Sequence, residues 1–398
     1  MADVEELQGL YQDALDLHEQ GEFQAAAGLY EKILARFPDA DLVLYNLGLA
    51  LYEQKKFAGA AAAFLRAAKI NGDDPDYWFN AGLSLKQDGR FEEATAAYEQ
   101  AAVLKPDDAD IPYNLGCCLQ AAGNVRAAAR AYEKVLELVP DHASALGNLA
   151  CCVHRSGDHG RAAQLYRRLL ALQPDHASAR YMLDALSGKN TAAPPPEYVQ
   201  DLFDGYAGNF EHDLLENLSY RVPLLLAALL KNTIGPGTGV MRVLDLGCGT
   251  GLAGAAMASW AAHLTGVDLS ANMMAAAREK GCYDQLFVGD VIDVMHALDQ
   301  PFDLLLAADV LTYLGDLRPL FNAAATSVIP GGLFCFSTEK GEKDDWLLRS
   351  TGRYAHHRRY ICRMAEEHGW EKVEMRTARI RKEGDDWVFG NLFLLRKK

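Results

Sequence analysis

Residues Arg242 to Gly254 read RVLDLGCGTGLAG, four glycines behind a short apolar run. Glycine loses the most backbone entropy on folding, so a cluster of it needs a reason. The run MRVLDLG is a buried strand by its unbroken apolar character, and LAGAAMASWAA after the glycines is a helix. Glycines at a strand-to-helix turn adopt angles a side chain forbids, and they let a ligand approach the main chain.

Working outward, strand and helix alternate. HLTGVDLS, DQLFVGDV and FDLLLAADVLTYL read as strands, ANMMAAAREKG and LRPLFNAAATSVI as helices, and GGLFCFST as a further strand. This is the pattern of a doubly wound parallel sheet. Near the end, EKVEMRTARIRKEGDDWVFGNLFLLRK holds two strand-like runs around a Gly-Asp turn, an antiparallel hairpin on an otherwise parallel sheet.

GTGLAG formally matches the dinucleotide signature GxGxxG, a match that is weak by itself. Asp245 precedes the glycines at the strand's end, where a carboxylate repels a pyrophosphate and attracts a cation or ammonium group. Asp268 ends the second strand, placed to accept from ribose hydroxyls, which both cofactor classes share. Asp290, in VGDV, is placed for an adenine amino group.

This set resembles the class I S-adenosylmethionine-dependent methyltransferases. Asp245, Gly247, Gly249 and Gly251 match their first motif, Asp268 with DLSANMM the second, and Gly289, Asp290 and Val291 the third. The resemblance implies S-adenosylmethionine as cofactor. It places Asp245 near the methionine moiety, directly or through water, Asp268 on the ribose, and Met273 and Asp290 at the adenine. YVQDLFDGYAGNFEHDLLENLSYRVPLLL resembles the N-terminal cap of such enzymes, in which an aromatic such as Tyr206 or Phe210 covers the cofactor.

Methyl acceptor contacts are expected at the same sheet edge. Asp309 and Tyr313 follow the fourth strand, where acceptor-facing residues are usual in that family; Asp309 could equally cap a following helix. EKGEKDDWLLRSTGRYAHHRRYICRM crowds Arg349, Arg353, His356, His357, Arg358 and Arg359 into an acidic chain. Arginines there suit an anionic group on the acceptor, and His356 is a candidate general base; the bland alternative is a solvated loop. No NPPY or DPPY tetrapeptide follows the fourth strand, which weakens a reading as an amino-methylating enzyme.

The first half is a different object. Pro38, Pro106, Pro140 and Pro174 lie on a grid of 34 residues, with Gly72 at the missing node. Gly21, Gly89, Gly123 and Gly157 form a second grid, with Lys55 in the gap. Ala26, Ala60, Ala94, Ala128 and Ala162 form a third, and Tyr30, Phe64, Tyr98, Tyr132 and Tyr166 a fourth. This period resembles the tetratricopeptide repeat, and Trp78, Ala81, Gly82, Ala94, Tyr98, Ala101 and Pro106 sit at its consensus spacing. An all-α solenoid of about five repeats is expected, its aromatics filling the space between neighbouring repeats, with ASARYMLDALSG as a cap. Asn46, Asn80, Asn114 and Asn148 recur in the first helices, at a position facing the concave groove in such repeats. Their amides suit an extended peptide backbone, which makes a protein or peptide the expected partner; the bland alternative is consensus without function.

SGKNTAAPPPE reads as a linker of limited flexibility, so the domains are expected at 1–190 and 191–398. The expected whole is a multidomain chain: a tetratricopeptide solenoid, then a doubly wound α/β domain with a C-terminal hairpin. A net charge of −15 argues against nucleic acid as the main ligand. Without a signal peptide or an apolar run of membrane-spanning length, a cytoplasmic protein with no membrane partner is expected. The eight cysteines form no CxxC pair, so no metal is expected.

The expected activity is methyl transfer to an acceptor the sequence does not identify, with the repeats docking a protein or peptide. The alternatives are a small-molecule methyltransferase whose repeats serve regulation or assembly, and a non-catalytic, cofactor-holding scaffold.

Overall fold

The computed structural model describes residues 2–204, 211, 213–342 and 345–398. The chain divides into two compact units, Met1–Pro174 and Asp175–Lys398.

The first unit is five helix pairs: Ala2–Glu19 with Phe23–Arg36, Asp41–Glu53 with Phe57–Ile70, Pro75–Gln87 with Phe91–Leu104, Asp110–Ala121 with Val125–Leu138, and Ala143–Arg155 with His159–Leu172. Each proline on the 34-residue grid lies two positions beyond the end of a second helix. The intervening residues Phe37, Lys105, Val139 and Gln173 sit at φ between −128° and −134°, the extended backbone a following proline enforces. Gly21, Gly89, Gly123 and Gly157 turn the chain at positive φ, and Lys55, filling the gap in that grid, adopts the same left-handed conformation at φ 60°.

The aromatic grid is buried, and its rings pack within their own repeats as well as between neighbours. A Cβ at Gly48, Gly82 or Gly116 would lie 2.6 to 2.9 Å from the ring of Phe64, Tyr98 or Tyr132 respectively. In these three repeats the glycine of the first helix is therefore the hollow that receives the ring of the second; the first and fifth repeats carry Ala14 and Ala150 there.

The asparagines have an internal use. Asn46 Nδ2 donates to the Tyr11 hydroxyl at 2.8 Å, Asn80 Nδ2 reaches the Tyr45 hydroxyl at 3.4 Å, and Asn148 bonds Tyr113. Each rung ties one first helix to the first helix of the preceding repeat. Phe79 has no hydroxyl at this position, and Lys86 Nζ instead donates to Asn114 Oδ1 at 2.7 Å.

The second unit is built on a nine-stranded sheet. Its strands are β1 Met241–Leu246, β2 Ala261–Asp268, β3 Gln285–Val288, β4 Phe302–Ala307, β5 Val328–Lys340, β6 Trp346–Leu348, β7 Tyr354–His356, β8 Trp370–Glu383 and β9 Asp386–Lys397. β3, β2, β1, β4 and β5 run parallel in that order, and the β8–β9 hairpin adds antiparallel to the far edge of β5 through β9. Leu244, Leu246, Leu305, Ala307, Phe334 and Phe336 fill one face, and Val243, Leu304, Leu306, Leu333 and Cys335 the other, each covered by helices. Sheet order reverses between β1 and β4, where the chain leaves β1 on one side and β4 on the other.

Strands β6 and β7 were not expected. At Glu339 β5 is flanked by β9 on one edge and β7 on the other, so β7 continues the edge that β4 occupies lower down. The short β6–β7 pair thus stands beyond the carboxyl end of β4. The expected fourth strand is also shorter than its apolar run, ending at Ala307 before a single helical turn at Leu311–Tyr313.

The segment expected to be a linker is part of this unit. Ala192 accepts hydrogen bonds from the amides of Gly315 and Asp316, and Thr191 Oγ1 lies 2.9 Å from the Tyr354 hydroxyl. The helix Ala177–Leu186, read from sequence as a cap of the solenoid, is grouped with the second unit. Its Tyr181 hydroxyl donates to the Gly352 carbonyl at 2.9 Å. No helix among the described residues is long and apolar enough to cross a membrane.

Candidate functional site

The glycine loop leaves the carboxyl end of β1 with Gly247, Gly249 and Gly251 at φ 61°, 53° and 91°. Three left-handed residues in alternation coil the main chain, which glycine alone does without strain. A Cβ at Gly247 would lie 2.6 Å from the Val310 side chain, so the loop presses against the chain leaving β4.

Two aspartates hold this loop. Asp268 Oδ2 accepts from the Gly249 amide and Oδ1 from the Ser270 amide, each at 2.9 Å. Both oxygens thus fix main chain on either side of the switch point. Asp245 has no exposed surface. Its Oδ2 accepts from the Tyr283 hydroxyl at 2.7 Å, the Gly254 amide also bonds the carboxylate, and Oδ1 is buried with no partner. Burial pushes its pKa up to about 7 against the opposing hydrogen bond from Tyr283. Sequence places this carboxylate near the methionine moiety, directly or through water; in the fold it is held by Tyr283 and the Gly254 amide.

The remaining cofactor candidates sort by geometry. Asp290 caps the helix Val291–Ala297, its Oδ1 accepting from Ile292 at 2.8 Å and Asp293 at 3.3 Å. Val291 packs into the core, and Met273 is fully buried. Tyr206 and Phe210 fall outside the described residues.

Beyond β4 the acceptor candidates separate. Asp309 sits at φ 63°, in the left-handed region, an uncommon cost for a residue with a side chain. Its carboxylate caps no helix. Both oxygens lie 3.4 Å from Arg381 Nη1, while Arg381 Nη2 donates to Glu339 Oε1. Arg349 reaches the other oxygen of Glu339 at 3.2 Å. Tyr313 is nearly buried between the Phe203 ring, centroids 5.2 Å apart, and the Arg353 guanidinium, 5.9 Å above it. Although burial opposes its charge, Arg353 is held firmly cationic by Tyr313, Asp309 and Glu339. The Tyr220 hydroxyl, pushed up by burial, lies in the fields of Asp309, Arg381 and Asp245. The edge of β1, β4 and β5 is therefore one electrostatically connected site.

His356 does not join it as a base. The ring is fully buried in β7, stacked on Tyr360, with Nε2 3.2 Å from the Gly315 carbonyl oxygen. Burial lowers its pKa to about 4, so it is a neutral packed ring at physiological pH. Arg349 and Arg353 of the same basic run face the ion network, whereas Arg358 and Arg359 are exposed at the start of the following helix.

Sequence reasoning missed Arg381, Glu339 and Tyr283. Arg381 is turned inward by a bulge: the register of β8 on β9 shifts between Arg379 and Arg381. Among the described residues no group of three or more His, Cys, Asp or Glu side chains could hold a metal.

Residues 244–336 match the family described as Methyltransferase domain. Residues 11–75 and 113–177 match Tetratricopeptide repeat, and residues 82–123 match TPR repeat. The chain is similar to the ubiquinone biosynthesis O-methyltransferase of Idiomarina loihiensis, 34% identical over 114 residues, covering 27% of this chain and 46% of that protein. It is likewise similar to the Cronobacter sakazakii protein of that name, 32% identical over 129 residues, covering 31% of this chain and 50% of the other. The chain spans about half the length of the curated relatives it matches. Among solved structures, YrrB, a TPR protein with an unusual peptide-binding site, aligns at TM-score 0.41 and 22% identity over 43% of this chain and 89% of its own. Magnesium protoporphyrin IX methyltransferase from Synechocystis PCC 6803, with bound SAH, aligns at TM-score 0.39 and 16% identity over 51% and 99%.

Proposed function

We propose that this chain, which joins tetratricopeptide repeats to a methyltransferase domain, is an S-adenosylmethionine-dependent methyltransferase. The observation that carries the reading is the loop Gly247–Gly251 at the reversal of sheet order, locked to Asp268 and underlain by Asp245. The residues fit the cofactor. The coiled main chain at Gly247, Gly249 and Gly251 is a cradle that side chains would fill, and Asp268, bonded to the Gly249 amide, is the carboxylate assigned to the ribose hydroxyls. Asp245 Oδ1 and Thr250 Oγ1 are buried polar atoms left without partners in the loop. When bound, S-adenosylmethionine supplies a methyl group already activated on a sulfonium.

The protein's task is then placement and exclusion of water. Asp309, Tyr313 and Arg353 stand where an acceptor meets the loop. Arg353 offers a fixed cation for an anionic or polarised oxygen group, and Asp309 is the carboxylate placed to take a proton from an acceptor hydroxyl. The relatives named as O-methyltransferases favour a small hydroxylated acceptor. The repeats dock a protein or peptide partner, on the precedent of their class.

Calorimetry with S-adenosylhomocysteine and with nicotinamide dinucleotide tests the cofactor. Binding of the first and not of the second is expected; the reverse sinks the proposal. Radiolabelled methyl transfer to phenolic acids and to protein extracts then separates small acceptors from protein ones.

A further inference from the structure

Four features of the second unit meet at one side chain. Tyr283 leaves the loop ahead of β3, and its ring enters between the sheet and the helix Leu252–Met257. A Cβ at Gly254 would collide with its hydroxyl, and one at Gly266 or Gly251 would lie 2.9 or 3.0 Å from ring carbons. Three glycines, two of them in the cofactor loop and its helix and one in β2, thus make room for this ring, Gly266 sharing its hollow with Leu286 and Cys248. The fourth feature is the hydroxyl, which donates to Asp245, a carboxylate with no exposed surface and one orphaned oxygen.

We propose that Tyr283 is a positioning residue of the cofactor site: its ring moulds the glycine loop and its hydroxyl holds Asp245 beneath that loop. The assignment rests on the methyltransferase reading above. The functional consequence follows from charge. A carboxylate under the loop attracts a cofactor bearing a sulfonium and an ammonium group only when ionised, and the Tyr283 hydroxyl stabilises the ionised form. The other groups facing Asp245 are Asp268 at the end of β2, Cys248 in the loop, Cys282 beside Tyr283, and Tyr220 ahead of the helix Val222–Ile234. None is a cation. Among these neighbours Tyr283 is therefore the side chain that favours the charge, assisted by the Gly254 amide.

The test uses the full chain, its Tyr283→Phe variant, which keeps the ring, and Asp245→Asn. Affinity for S-adenosylmethionine and S-adenosylhomocysteine is measured by calorimetry from pH 6 to 8.5, and thermal unfolding is followed from pH 4 to 8.5. The parent protein is expected to bind the sulfonium form more tightly as pH rises through about 7. Tyr283→Phe is expected to lose about tenfold in that affinity at neutral pH and to recover part of it at higher pH. Asp245→Asn is expected to bind weakly at all of these pH values.

A raised carboxyl pKa in the folded state gives stability that is present below the ordinary carboxylate pKa and lost as pH rises through the folded one. That declining limb is expected to extend to higher pH in Tyr283→Phe and to vanish in Asp245→Asn. Unfolding curves and affinities for Tyr283→Phe that superimpose on the parent overturn the assignment. If the parent binds neither compound, the methyltransferase reading fails, and the unfolding limb still decides whether Tyr283 governs Asp245. If Tyr283→Phe does not fold, a limb of equal size in the parent and in Asp245→Asn overturns the assignment.

Discussion

The Asn190 carboxamide lies against Trp346–Leu348 as a neighbouring strand would, Nδ2 donating to the Trp346 carbonyl at 2.8 Å and Oδ1 accepting from the Leu348 amide at 2.7 Å. One side chain thereby completes the open edge of β6. The β6–β7 pair carries Arg349 and Arg353 on its connecting turn, so what steadies β6 steadies the acceptor side of the site. Asn190→Ala removes two hydrogen bonds at a solvent-exposed edge and is expected to cost about 0.5–1.5 kcal/mol. Urea titration of the full chain, read by tryptophan fluorescence, measures it. Steady-state kinetics are expected to show KM for the acceptor rising with little change in affinity for S-adenosylhomocysteine.

Arg381 holds two carboxylates inside the protein. Arg381→Met removes the cation from Asp309 and from one oxygen of Glu339, which keeps Arg349, and is expected to destabilise by about 3 kcal/mol. Adding Glu339→Leu is expected to restore much of that loss, since the pair is then replaced by apolar packing. A double-mutant cycle in urea checks this; purely additive losses would show that the pair does not couple.

Lys55 occupies the left-handed turn that glycine fills in the other four repeats. Lys55→Gly removes the strain of a side chain there and adds unfolded-chain entropy, for a net gain of about 0.5–1 kcal/mol. The reverse experiment is Gly116→Ala, which drives a methyl into the Tyr132 ring and is expected to cost about 1–3 kcal/mol. Circular dichroism melts of the two variants are expected to move in opposite directions.

His356 supplies a pH signature. Its folded pKa, about 4, lies below the ordinary histidine value, so the unfolded chain binds the proton more readily. The contribution is present in full above about pH 6.5 and is lost as pH falls toward 4, on the order of 3 kcal/mol in all. His356→Phe is expected to flatten this slope in denaturant midpoints taken between pH 4 and 7. An unchanged slope would place the ring in contact with solvent.

The repeats and the parallel sheet were readable in advance because both are written in local periods. Each repeat states its own turn, hollow and stop, and each buried strand is a continuous apolar run. Gly247, Gly249, Gly251 and Asp268 were readable because a tight loop beside a sheet edge demands those residue types at that spacing. What escaped depends on distant partners. Arg381 looks like an ordinary charge on a surface strand until a bulge shifts its register. β6 and β7 have three residues each, too few for any alternation to show. His356 looked accessible because its neighbours in sequence are basic, yet its neighbours in space are Gly315 and Tyr360. The tyrosines at 11, 45 and 113 stood in plain view; they match asparagines one repeat onward, and only the stacking of helices shows that the two sets meet.

That stacking has a mechanical corollary. Three joints of the solenoid carry the same tyrosine–asparagine stitch, and the joint from Phe79 to Asn114 substitutes a lysine reaching over from a flexible stem. An array whose units touch only their neighbours tears where one seam is sewn with a looser thread. Stretched end to end, this one is expected to part near its middle, shedding two repeats on one side before the others unravel.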